Sequence, residues 1–98
     1  MEQLEMIRNR IDQVDAQIVD LLEERLALAG EVAAYKKETG KAVFDPVRER
    51  EKIEKVRQLA KTDYLRDELP QVYELLMEIS KNWQKRLMEG EEAEVSHE

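Results

Sequence analysis

The chain has 98 residues, a formal net charge of −7, a charged fraction of 40% and no cysteine, which leaves room for one domain whose core is marginal without a second copy. An acidic balance argues against nucleic acid as a partner, because phosphate backbones demand a basic surface, and the absence of cysteine excludes disulfides and thiolate ligands and fits a reducing compartment. No apolar run approaches the roughly 20 residues of a membrane span, and the opening MEQLEMIRNR lacks the apolar stretch of a signal peptide, so the expectation is a cytoplasmic protein with no membrane partner.

The first element is one long helix over residues 3–38. Leu4, Ile7, Ile11, Val14, Ile18, Leu21, Leu28, Val32 and Tyr35 recur at threes and fours and mark a single face. The series is broken at position 25, which is Arg25. A guanidinium in an apolar seam needs an anionic partner, because an unpaired buried charge is too costly, and that partner can be a ligand. At about 100° and 1.5 Å per residue, Lys36 lies within roughly 20° of Arg25 in azimuth and roughly 16 Å further along the axis. Arg8 is turned away by about 100° and lies roughly 25 Å off, too far to join Arg25 on one small molecule of the same chain. A helix of this length is roughly 50 Å long, whereas a compact chain of this size has a radius of gyration near 13 Å. The seam is therefore expected to be buried against another copy, and an antiparallel pairing brings the Arg8 end of one chain towards Arg25 and Lys36 of the other.

Gly40 suits the end of that helix, and Lys41, Ala42 and Val43 bridge to Asp45-Pro46, a helix start: Asp accepts from free amides and Pro needs no donor in the first turn. The second helix is expected from Pro46 to about Lys61, with Ile53, Val56, Leu59 and Ala60 inward and Glu49 on the same line. A linker over residues 62–66 leads to Asp67 as the next N-cap, with Pro70 near the first turn. The third helix runs to about Glu89 and is expected to bury Val72, Leu75, Leu76, Ile79, Trp83 and Leu87, with Ser80 and Gln84 sharing a face beside them. Residues 1–90 thus form one helical domain. Residues 91–98 read as a disordered acidic tail, where nothing would orient His97, the only histidine, as a base.

The inward or boundary positions present Arg25, Lys36, Arg48, Glu49, Ser80 and Gln84. With no credible nucleophile, no metal cluster and no glycine-rich phosphate loop, no cofactor is called for. The inventory suits electrostatic binding of a small polyanion better than covalent chemistry. Taken singly, each residue has a plainer explanation: Arg25 as a snorkelling flank residue, Lys36 and Arg48 as solvated charges, Glu49 as a first-turn carboxylate. Their joint order and spacing carry the reading.

That ordered set resembles the all-helical class of chorismate mutases over residues 4–88. The resemblance rests on Ile7-Arg8-x-x-Ile11-Asp12-x-x-Asp15, Leu21-Leu22-x-x-Arg25, Lys36, Asp45-Pro46-x-Arg48-Glu49 and Ser80-x-x-x-Gln84. It implies an all-α fold of three helices per chain, one very long, in an intertwined antiparallel homodimer with two equivalent sites. It also implies conversion of chorismate to prephenate, in the route to phenylalanine and tyrosine. By motif position, Arg8 reaches one substrate carboxylate from the partner chain and Arg25 holds a carboxylate within its own. Lys36 and Gln84 donate to the ether oxygen, Arg48 adds charge and a contact, Glu49 with the backbone near Asp45 binds the hydroxyl, and Ser80 lines the pocket. An isochorismate-pyruvate lyase shares such a fold and cationic pocket, but its pattern lacks the glutamate at the place of Glu49. A non-catalytic helical dimerisation or regulatory module is the alternative from another class.

Overall fold

The computed structural model describes residues 2–40 and 45–90. The bridge from Lys41 to Val43, the 91–98 tail and His97 lie outside the described residues. Among the described residues the chain is all-helical: α1 spans Glu2–Thr39, α2 spans Pro46–Leu59 and α3 spans Asp63–Met88. Gly40 follows α1 at φ 76°, a left-handed conformation that glycine adopts without steric penalty. Asp45 caps α2, its Oδ1 accepting from the Arg48 N–H at 3.1 Å, with Pro46 at the first helical position.

The third helix begins earlier than its sequence pattern suggests. Thr62, not Asp67, is the N-cap, its hydroxyl accepting from the Leu65 N–H at 3.2 Å. Residues assigned to a linker belong to the helix, and Pro70 sits inside it, where its missing N–H drops one rung of the ladder. The first turn is held from outside as well. Arg66 donates to the Ala60 carbonyl at 2.9 Å and to Asp63 Oδ1 at 2.6 Å, so one guanidinium ties the end of α2 to the start of α3.

Helix α3 packs against both α1 and α2, while α1 and α2 make no close backbone approach to each other. The result is a slab of 55 × 38 × 15 Å, barely thicker than one helix, with a radius of gyration of 16.8 Å. Its core is thin. Among the described residues, Ala29 and Ala33 on α1, Val56 and Ala60 around α2, and Met77 on α3 are the buried apolar side chains. Small residues let α1 approach α3 closely: a Cβ at Gly30 would stand 3.3 Å from Leu87 Cδ1 and 3.7 Å from Trp83 Nε1.

The apolar stripes expected to be inward are divided by this arrangement. Val56 and Ala60 are buried, but Leu59 is 76% exposed, because α2 meets only α3 and turns that side to solvent. On α3 the buried line is Met77, Ser80 and Gln84, whereas Val72, Leu75 and Ile79 are exposed. The α1 seam from Leu4 to Val32 is likewise exposed, at 53% for Ile11 and 63% for Leu21. An uncovered apolar face this long is far more than a monomeric protein ordinarily leaves in water.

Thr62→Ala is expected to lower stability by about 1 kcal/mol, the usual value of a lost N-cap, whereas Asp67→Ala stays within about 0.5 kcal/mol. Thermal melts of both variants at one protein concentration check the order.

Candidate active site

Because α1 and α2 both lean on α3 without close backbone approach to each other, a cleft of about 590 Å³ opens between them with α3 as its floor. Helix α1 contributes Arg25 and Lys36, eleven residues apart and therefore on nearly the same azimuth. Helix α2 contributes Arg48, Glu49 and Lys52, with Asp45 at its N-terminus, and α3 contributes Ser80, Lys81 and Gln84. Of the candidates read from the sequence, the structure brings Arg25, Lys36, Asp45, Arg48, Glu49, Ser80 and Gln84 to this one cleft. Arg8 is not among its lining residues and stands exposed near the far end of α1.

Each of the best-defined groups is fixed by something local. Arg25 donates from Nη1 to Ser80 Oγ at 2.6 Å and lies 5.7 Å from the Tyr73 ring centroid, so a neutral hydroxyl and an aromatic face hold the guanidinium without neutralising it. Its full positive charge remains to attract an anion. Ser80 is thus more than a lining residue, since it aims Arg25. The Glu49 N–H donates to the Asp45 carbonyl at 3.0 Å in the first turn of α2, and the Glu49 carboxylate accepts from Lys81 Nζ at 3.0 Å across to α3. Gln84 is buried and its Oε1 has no hydrogen-bond partner among the described residues. Buried carboxamides are ordinarily satisfied, so an orphan in a cleft floor points to a ligand. A half-turn of the carboxamide exchanges its two ends and presents the NH₂ donor instead.

Sequence reasoning overlooked two charged cleft residues, Lys52 and Lys81. Lys52 lies one turn beyond Arg48 and so shares its face, a signal that helical spacing could have given. Burial pushes the Lys52 ammonium below the ordinary lysine range, and Arg48, Lys55 and Arg25 push it further the same way. Lys81 follows Ser80 directly, and only the tertiary fold reveals that it meets Glu49.

These features define an all-helical protein with a cation-rich cleft: guanidinium and ammonium groups from three helices line it around the Gln84 carboxamide, with neither histidine nor cysteine in the described lining. The chain belongs to the family described as chorismate mutase type II, which it matches over residues 7–85. It is similar to the chorismate mutase of Methanocaldococcus jannaschii, 33% identical over 90 residues that cover 91% of each chain. It is also similar to two bifunctional chorismate mutase/prephenate dehydratases. The one from Aquifex aeolicus is 39% identical over 64 residues, 65% of this chain and 18% of that protein. The one from Buchnera aphidicola is 34% identical over 84 residues, 85% of this chain and 22% of that protein. No solved structure gives a significant match.

A lysine whose folded pKa lies below its unfolded one opposes folding while charged. That opposition is complete below the folded pKa and vanishes above the ordinary value of 10.5. Lys52→Met is therefore expected to raise the melting temperature near neutrality, with the advantage over the unmodified protein shrinking as the pH approaches 10.5. Paired melts across that range check the trend, and a constant offset would mean that the gain comes from packing.

Proposed function

We propose that this chain is a chorismate mutase acting as an intertwined antiparallel homodimer, converting chorismate to prephenate by holding a flexible dianion in its compact conformer. The observation that carries the reading is the cleft itself, in which Arg25, Lys36, Arg48 and the Gln84 amide converge in a member of the chorismate mutase type II family. The reaction is a unimolecular rearrangement: a carbon–oxygen bond breaks as a carbon–carbon bond forms, with no proton transfer required. Catalysis then comes from conformer selection and from stabilising the negative charge that grows on the ether oxygen.

The groups suit these tasks. Arg25, held by Ser80, offers a planar fork to one substrate carboxylate. Lys36 supplies a point charge and Gln84 a neutral donor for the ether oxygen, which an amide provides at any ordinary pH. Glu49 and the start of α2 near Asp45 receive the ring hydroxyl, and Arg48 adds charge and contact from the α2 wall. The second carboxylate falls to the partner's Arg8. The exposed seam of α1 supports this, since a second copy laid antiparallel along it buries that face and carries its own Arg8 towards the cleft.

Incubation with chorismate, following its ultraviolet absorbance, tests the activity: prephenate is expected, whereas salicylate with pyruvate formed from isochorismate, and no turnover of chorismate, would identify a lyase instead. Lys36→Ala is expected to lower kcat/KM by about 10² or more with helix content unchanged, through lost transition-state stabilisation. Near-normal turnover would remove Lys36 from its role.

The shared site has its own test. Arg8→Ala and Arg25→Ala should each be nearly inactive, yet an equal mixture, unfolded and refolded together, should recover about a quarter of the intact sites, because each mixed dimer holds one site with both arginines. No recovery, in a mixture whose mass shows mixed dimers, would mean that Arg8 does not act across the interface.

A further inference from the structure

Glu49 and Lys81 form an ion pair that crosses from α2 to α3, with Nζ 3.0 Å from Oε2 and both side chains about a quarter exposed, at 24% and 27%. Exposed pairs on one helix, such as Arg57 with Glu54, contribute little and orient nothing beyond their own turn. The Glu49–Lys81 pair differs because both residues line the cleft and sit on different walls of it. Glu49 has two torsional degrees of freedom beyond Cβ, and the first turn of α2 fixes its backbone without fixing where the carboxylate points.

We propose that Lys81 is a positioning residue for Glu49, holding Oε2 so that Oε1 stands ready to accept the hydroxyl of the substrate. The inference rests on the mutase reading and adds a residue that the sequence motif did not contain. Two consequences follow from the geometry. The carboxylate is pre-set before substrate arrives, so less side-chain freedom is lost on binding. The ammonium also neutralises a carboxylate that would otherwise repel a dianion, while leaving it an acceptor for a hydroxyl. Lys81 thus reconciles an acidic side chain with a cleft built for anions.

The role separates from general electrostatics by using two substrates: chorismate, and the analogue whose ring hydroxyl is replaced by hydrogen. With chorismate, Lys81→Met is expected to lower kcat/KM on the order of tenfold, the scale of a misplaced contact, mainly through KM. Lys81→Arg should restore most of the loss. With the deoxy analogue the same variants should lose markedly less than with chorismate, because no hydroxyl remains to be received and only the uncompensated charge of Glu49 is felt. In a Glu49→Gln background Lys81→Met should add little. Should Lys81→Met disturb the fold, seen as lost helix signal, Lys81→Gln is measured in its place. Equal losses on both substrates would make Lys81 a general cation of the cleft, and a gain in affinity for chorismate would make it a mask over Glu49. Either result, or no loss at all, overturns the positioning role while leaving the mutase activity standing. An unmodified enzyme inert towards chorismate would overturn both.

Discussion

A helix of 38 residues in a chain of 98 reaches further than the rest of the chain can cover. Of the other two helices only α3 packs against it, along part of its length and through the small residues Ala29, Gly30 and Ala33, and the apolar seam is left in solvent. From this constraint comes the flatness of the molecule and the thinness of its core. From it also comes the cleft: α3 supports both neighbours, and among the described residues a gap is left between α1 and α2.

The cleft collects like charges, whose mutual repulsion is unfavourable. Burial, and after it the charges of Arg48, Lys55 and Arg25, hold the ammonium of Lys52 below its usual range. Arg25 is secured by a hydroxyl and an aromatic face, partners that orient a cation without cancelling it. The orphaned end of Gln84 belongs to the same economy of design. Folding leaves groups here short of the interactions they could make, and such groups are available to a ligand whose own charge matches them.

Some of this was legible in the residues. Asp45-Pro46 and Gly40 announce their helix boundaries through local chemistry, and the interruption of a heptad-like seam by Arg25 marks the site. Thr62 was overlooked because Asp67 with Pro70 imitates a helix start, and only the doubly anchored Arg66 shows why α3 begins a turn earlier. The exposure of Leu59 and Leu75 could not be read from periodicity, which identifies an apolar face without saying whether the same chain or another covers it. Lys81 was invisible for a related reason: a lysine at helical spacing reads as solvated until a carboxylate from another helix is brought to it. Ala29 and Ala33 hid because small side chains carry little hydrophobic signal, although their smallness is what lets two helices meet.

The double anchor of Arg66 has a mechanical consequence. It clamps the corner between α2 and α3, and Glu49 lies eleven residues back from Ala60 along a rigid helix, roughly 16 Å from the corner. A pivot at that corner is a lever whose long arm carries one wall of the cleft. A rotation of a few degrees there moves Arg48 and Glu49 by about an ångström, the scale on which oriented catalysis gains or loses its advantage. The setting of that wall therefore depends on a turn whose residues lie outside the cleft lining.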